Sequence, residues 1–235
     1  MNEDPVEIRR ALAQQGYYHR RGAHSFESFE ALCAALGEIR FRTDIHISPD
    51  KEAEQRRTRT FGPHRPGVYT DGELAFHTDN PNWSILGWHC VEQDEKAGES
   101  LLLDLGDAAR AFSARELEEL CALRIYLPVR DASWNETAEL APVLKPAGSS
   151  FDVYWVPWLV AGGFEETHGA VLRRFREWLR QKEASELISL RLQPGEALFI
   201  HNNRMLHGRR PLTPGSRRQL VRLAVAAADI RARHA

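Results

Sequence analysis

The chain is short of the features that mark secreted, membrane or nucleic-acid-binding proteins. Its cysteines are Cys33, Cys90 and Cys121, an odd number without paired spacing, which excludes a disulfide-built scaffold and reads as reduced thiols. No apolar run approaches the roughly 18 residues of a membrane span, and the opening MNEDPVEIRR carries charge where a signal peptide has an apolar core. Neither sign of charge dominates: the net charge is −2 and the pI about 6.6, so nothing draws the chain to phosphate backbones or anionic lipid. There is no internal repeat and no low-complexity tract. These absences point to a soluble, cytoplasmic protein. Apolar residues make up 43% of the 235 positions, enough for a sizeable core, and one domain over 1–235 is expected.

The pattern along the chain is many short strands with a few helices. Val6 to Gln15 is an amphipathic helix stopped by Gly16, Tyr17 to Arg20 a strand, and Ser25 to Gly37 a second helix with Ser25 or Ser28 as its cap. Asp50 to Gly72 is polar and reads as a loop with a short strand near Thr58 to Phe61, either a solvated surface or a lid. Strands follow at Ser84 to Glu92 and Ser100 to Asp104, a helix at Ala108 to Leu120, and a strand at Leu123 to Val129. A poorly patterned stretch runs on to Ala138. Pro142 to Lys145 and Phe151 to Trp155 form a hairpin around Ala147-Gly148-Ser149-Ser150. Gly163 to Lys182 is the clearest helix, with Phe164, Val171, Leu172, Phe175, Trp178 and Leu179 at helical spacing. Leu187 to Leu192, Ala197 to His201, Met205 to His207 and Arg218 to Ala226 close the chain as strands. Such a run predicts a mainly β fold with flanking helices, a double-stranded β-helix (jelly roll, cupin-like) with a site in its mouth.

The chemistry concentrates in LAFHTD, Leu74 to Asp79, and PGEALFIHNNRMLHGRRP, Pro194 to Pro211. On a strand, residues two apart share a face, so His77 and Asp79 project side by side. A histidine from the second stretch, His201 or His207, would complete two imidazoles and one carboxylate, the facial triad of non-heme Fe(II) oxygenases. The triplet alone is weak: 10 histidines and 33 acidic residues in 235 positions give roughly 1.4 His-x-Asp/Glu triplets by chance (10 × 33/235), and one is present. Spacing adds weight. Gly98-Glu99-Ser100 closes the next hairpin, and Arg217, Arg218 and Arg222 lie 10, 11 and 15 residues after His207. Strand parity puts Arg218 and Arg222 on one face and Arg217 on the other.

With these residues the chain resembles the TauD/TfdA (taurine dioxygenase-like) family of Fe(II)/2-oxoglutarate dioxygenases, in its clavaminate synthase-like and γ-butyrobetaine hydroxylase-like branch. The resemblance runs from about Ile8 to Val225. It implies residues 1–60 as an N-terminal cover and 73–226 as a jelly-roll core with a helical insertion at 163–182. It implies Fe(II) on His77, Asp79 and His207, since His207 stands in the family's His-Gly pattern and His201 does not. It implies 2-oxoglutarate as cosubstrate and O2 as oxidant, with Arg218 on the distal carboxylate and Ser100, where many members have threonine, as its hydroxyl partner. A planar guanidinium suits this task because it grips a carboxylate with two parallel hydrogen bonds. Arg222 stands where the taurine enzyme binds its sulfonate, or serves as a second cation for 2-oxoglutarate. Asn80 and Glu73 match positions at the substrate, and Trp83, Trp155 and Trp158, with Trp88 and Tyr154, are candidates for an aromatic wall. The taurine enzyme's N-terminal substrate residues have no counterpart, which argues against taurine itself.

The implied activity is oxidation of an unactivated C–H bond in a small anionic or zwitterionic molecule, with release of succinate and CO2. Asp79 argues against halogenation, which needs that carboxylate ligand missing. A non-catalytic jelly-roll metal- or ligand-binding protein is the alternative. A nucleic-acid demethylase lacks its basic stripe. A homo-oligomer is open.

Overall fold

Two antiparallel sheets share one apolar interior, and the order of elements shows how the chain builds them. The computed structural model describes residues 4–57, 67–130, 136–160, 164–227 and 230. In chain order these hold α1 (Pro5–Gln15), β1 (Tyr17–Arg20), α2 (Phe26–Leu36), β2 (Glu38–Ile45) and α3 (Pro49–Arg57). Next come β3 (Leu74–His77), β4 (Ile85–Glu92), β5 (Ser100–Asp104), α4 (Ala108–Ala111) and α5 (Ala114–Ala122). Two hairpins follow, β6 (Arg124–Arg130) with β7 (Glu136–Pro142) and β8 (Leu144–Ala147) with β9 (Ser150–Val153). A 3-10 turn at Pro157–Leu159 leads to α6 (Phe164–Glu186), then β10 (Ile188–Leu190), β11 (Ala197–His201), β12 (Met205–Arg209) and β13 (Gln219–Ala226).

The larger sheet runs β1-β11-β4-β13-β2 and the smaller β10-β5-β12-β3. Leu86, Trp88, Cys90, Leu198, Ile200 and Leu220 of the first sheet meet Leu102 and Met205 of the second in the interior. The alternate residues of the large sheet, among them Ile85, Phe199, Leu223 and Val225, pack outward against Ile8 and Leu12 of α1 and Phe29, Cys33 and Leu36 of α2. Burial on both faces is why β4 reads as an almost continuous apolar run. Leu103 and Leu206, on the outside of the small sheet, join Leu120, Trp155, Phe175 and Trp178 in a third cluster. Fully buried phenylalanines such as Phe29, Phe175 and Phe199 each stabilise the fold by about 1.5–3 kcal/mol through burial. Facing antiparallel sheets around a packed interior make this a jelly roll.

Local chemistry explains the ends of the elements. The Asp4 side chain accepts from Val6 N–H at 2.8 Å to cap α1, and Ser25 caps α2 by accepting from Ser28 N–H. Three expectations change. The Asp50 to Gly72 segment opens on a helix, α3, with Pro49 at its start, Asp50 and Glu52 in the first turn, and Ser48 Oγ accepting from Lys51 N–H. The strand expected near Thr58 to Phe61 lies outside the described residues. The helix at Ala108 to Leu120 is two helices, because Ser113 and Glu116 form a capping box that starts α5 afresh. The poorly patterned stretch ends in β7, which pairs β6 from Arg124–Pro142 to Arg130–Glu136.

Candidate active site

His77 is the last residue of β3 and pairs in register with His207 of β12, so the ladder sets the two rings side by side with centroids 4.2 Å apart. Asp79 lies beyond the strand, and its position is not a matter of strand parity. Two polar contacts hold the turn instead. Thr78 is locked to Trp155, donating its N–H to the Trp155 carbonyl at 2.8 Å while its Oγ1 accepts from Trp155 N–H at 3.0 Å. Asn202, fully buried in the β11–β12 turn, accepts from Asp79 N–H at 2.9 Å. It donates to the carbonyls of Asn80 at 3.1 Å and Trp83 at 2.8 Å. The result brings ligand atoms of His77, Asp79 and His207 within 4.8 Å of one another. His201 belongs to the other sheet and lines a separate groove with Asp107 and Lys182.

The donor set fits a divalent metal. His77 Nδ1 donates to the Ala75 carbonyl at 2.8 Å, which leaves the lone pair on Nε2, the atom 4.0 Å from Asp79 Oδ1. His207 Nδ1 is buried with no partner among the described residues, an arrangement rare in a folded interior. Burial lowers the proton affinity of both imidazoles, and His77 beside it lowers that of His207 further. For Asp79, burial works upward, but neighbouring positive charge, that of Arg222 above all, outweighs it and holds the carboxyl below its usual range. Neutral imidazoles beside a carboxylate are the protonation state that a metal needs. Arg222 Nη1 donates to Asp79 Oδ2, which leaves Oδ1 on the side of His77.

A cavity runs from the two histidines into the barrel, lined by Ser100, Leu102, Leu198, Arg209, Arg218 and Arg222 among others. Arg218 is 3% exposed. Its Nε donates to Gln93 Oε1 at 3.1 Å and its Nη2 to Ser100 Oγ at 3.4 Å. Gln93 is turned to this task because its own amide donates to the Leu192 carbonyl at 2.8 Å. Burial, with Arg209 nearby, lowers the Arg218 guanidinium to about 10, so it stays charged at neutral pH. Among the described residues no carboxylate is in ion-pair contact with it, so a buried cation lines the cavity with neutral hydrogen-bond partners only. That is where an anionic ligand is most strongly favoured. Arg217, in contrast, is 84% exposed in its side chain and pairs with Glu92 at 2.8 Å. In β13 the large-sheet register skips Val91 of β4, so the alternation of β13 itself is intact and Arg222 faces inward.

The indole wall is not assembled as a unit. Trp158 stands with its ring centroid 5.0 Å from that of His77, and Trp88 5.1 Å from His207. Trp155 is buried against Phe175, and Trp83 stacks on Phe41 at 5.5 Å. Tyr154 is buried and donates its hydroxyl to the Tyr126 carbonyl at 2.9 Å. Asn80 Oδ1 accepts from Asn82 N–H at 2.9 Å, shaping the turn, and Glu73 is exposed ahead of β3. Residues that sequence alone did not single out are Asn202, Gln93, Thr78 and Arg209. Gly208 follows from the geometry: a Cβ there would lie 2.7 Å from the Leu74 carbonyl oxygen, where β12 and β3 slip register.

A jelly roll with two histidines and a carboxylate at the mouth, and a buried guanidinium behind them, defines the class of non-heme iron oxygenases that use a 2-oxo acid. The chain belongs to the taurine catabolism dioxygenase TauD, TfdA family, whose model matches residues 2–224, and is an Fe(II)/2-oxoglutarate-dependent dioxygenase. Similar solved structures include asparagine oxygenase in complex with Fe(II), 2S,3S-3-hydroxyasparagine and succinate, at 19% identity and TM-score 0.69, covering 96% of this chain and 78% of that one. The non-heme iron oxygenase OrfP with Fe and alpha-ketoglutaric acid is 18% identical with TM-score 0.66, covering 95% and 78%. A putative alpha-ketoglutarate-dependent taurine dioxygenase from Burkholderia xenovorans is 16% identical with TM-score 0.65, covering 95% and 83%. No curated protein matches the sequence. Among the described residues no helix is long and apolar enough to cross a membrane.

Proposed function

We propose that the protein hydroxylates a C–H bond of a small zwitterionic molecule of the amino-acid class, within a single catalytic domain that works in the cytoplasm. The observation that carries this reading is the convergence of His77, Asp79 and His207 beside a cavity also lined by Arg218, which is buried and has no carboxylate in ion-pair contact among the described residues. His77 Nε2, one oxygen of Asp79 and His207 would hold Fe(II), which supplies the activation of O2 when bound. Arg218 and Ser100 would take the distal carboxylate of 2-oxoglutarate and so fix its length along the cavity. Arg222 holds Asp79 by one nitrogen while its buried Nε has no partner among the described residues. It would therefore orient the ligand carboxylate and offer its remaining N–H to a substrate carboxylate. Trp158 closes one side of His77 and limits water beside the reacting atoms. Glu73 is outside the cavity lining and has no part in this assignment.

Support for an amino acid over a sulfonate comes from the asparagine oxygenase and OrfP complexes, which contain 3-hydroxyasparagine and (3S)-hydroxy-L-Arg respectively. The test is aerobic incubation of the Fe(II)-loaded protein with 2-oxoglutarate and each common amino acid, with taurine in parallel. Succinate formation coupled to gain of one oxygen atom by an amino acid is the expected result. Succinate coupled to loss of sulfite from taurine overturns the substrate class, and no succinate with any partner overturns the reading.

A further inference from the structure

We infer that Arg209 is a second cation for the distal carboxylate of the cosubstrate, so that this cavity reads its ligand with two guanidiniums. The inference rests on the assignment of the cavity to 2-oxoglutarate. In β12, His207 and Arg209 are two apart and share the inward face, and both line the cavity. Arg209 is paired directly opposite Ser100 of β5, and Ser100 Oγ is the atom that Arg218 Nη2 contacts at 3.4 Å. Both arginines therefore line the cavity, and Ser100 neighbours each of them, one by strand pairing and one by its hydroxyl.

The Arg209 fork is held from behind. Its Nη2 donates to the carbonyls of Thr70 at 2.8 Å, Gly72 at 2.6 Å and Gly67 at 3.3 Å, and its Nη1 to that of Val68 at 3.5 Å. Those four contacts fix the plane of the cation at no cost to its charge, since every acceptor is neutral. Its Nε is buried and has no partner among the described residues, and the residue as a whole is 4% exposed. A buried N–H without an acceptor costs stability until a ligand supplies one. Among the described residues Arg209 has no ion-pair partner, and neither has Arg218. Arg209 acts against the charge on Arg218, which Asp94 and Glu99 support only from beyond ion-pair distance. One carboxylate between them removes both penalties. The same pair penalises any 2-oxo acid that ends in a neutral group, because binding it would seal two cations away from water. Arg209 is thus a determinant of cosubstrate identity as well as of affinity.

The four carbonyl contacts admit a rival account in which Arg209 only straps residues 67–72 to the barrel. Calorimetric titration of the anaerobic Fe(II)-loaded protein separates the two, with 2-oxoglutarate and with 2-oxopentanoate, which has a methyl where the distal carboxylate stands. In Arg209→Gln the affinity for 2-oxoglutarate should fall about tenfold or more, the effect of one charge-assisted hydrogen bond, while 2-oxopentanoate binds at least as tightly as it does to the unaltered protein. Equal weakening of both ligands means a strap alone and overturns the inference. Arg218→Gln is titrated alongside. If it loses the preference for the diacid and Arg209→Gln keeps it, the inference fails while the cavity assignment stands. If neither substitution touches the preference, the cavity assignment fails too. Should Arg209→Gln not fold, Arg209→Lys is titrated in its place, where a reduced preference for 2-oxoglutarate supports the inference and an unchanged one overturns it.

Discussion

Replacing Asn202 with alanine asks how Asp79 is held. The side chain is fully buried and joins three backbone groups of the turn after His77: the N–H of Asp79 and the carbonyls of Asn80 and Trp83. The Asn80 carbonyl keeps Trp83 N–H as a donor at 3.0 Å, so the substitution strands two groups, Asp79 N–H and the Trp83 carbonyl. At about 1–3 kcal/mol for each unsatisfied buried group, the loss is roughly 2–6 kcal/mol, in the lower half because Trp83 is only half buried. The turn loses its tie to β11–β12, and Asp79 must then be ordered by the metal itself. An outer partner of a metal ligand is typically worth about 10–100-fold in metal affinity. Denaturant unfolding of the metal-free protein measures the first effect, and calorimetric titration with Fe(II) under anaerobic conditions the second. Asn203→Ala is the control, since Asn203 donates to the Pro81 carbonyl at 3.0 Å and makes no contact with Asp79. Unchanged metal affinity in a destabilised Asn202→Ala protein would show that the residue serves the fold and does not position Asp79.

Arg218→Ala removes the cation proposed to take the distal carboxylate and should raise the apparent KM for 2-oxoglutarate by the equivalent of about 3–5 kcal/mol. Arg217→Ala removes an exposed pair and should leave it unaltered, so exchanged outcomes in steady-state kinetics refute the register of β13. Arg222→Ala leaves Asp79 without its guanidinium. Fe(II) affinity and uncoupled 2-oxoglutarate turnover should both fall, whereas loss of substrate oxidation alone, with metal affinity kept, contradicts the pairing role. The stability of the metal-free protein should depend on pH through His77 and His207, whose folded-state proton affinities are lowered by burial. The unfolded chain binds those protons first, so stability is full above about pH 6.5 and declines as pH falls below it, by up to about 1.4 kcal/mol per pH unit for each imidazole. Denaturant melts between about pH 7.5 and 5.5 check this, and a flat profile counts against two buried, neutral imidazoles.

Much of the site was legible because its parts follow one another at fixed spacing. His77, Asp79 and the arginines after His207 carry types of side chain with few other uses in a buried strand. The parity of Arg218 and Arg222 could be read because β13 keeps its own alternation even where β4 slips at Val91. The reason given for Asp79 was not the operative one, since β3 ends at His77 and the carboxylate is placed by Asn202, 123 residues away in sequence. Contacts of that kind leave no local pattern. Arg209 reads as one more basic residue in HGRRP until β5 is known to lie opposite it. Strand β2 was missed for a different reason. It is an edge strand with half of its residues exposed, and its pairing with β13 defines it. The indoles failed as a group because their rings are distributed by packing: Trp155 faces α6 and Trp83 faces β2.

The central claim is that His77, Asp79 and His207 together hold the metal that turns over 2-oxoglutarate. Its most direct measurement is succinate formed from 2-oxoglutarate in air by the Fe(II)-supplied protein and by three single variants of confirmed fold. His77→Ala and His207→Ala should form none, and His201→Ala should retain the activity of the unaltered chain. Succinate formation surviving in His207→Ala and lost in His201→Ala would contradict the account and move the metal to the other sheet.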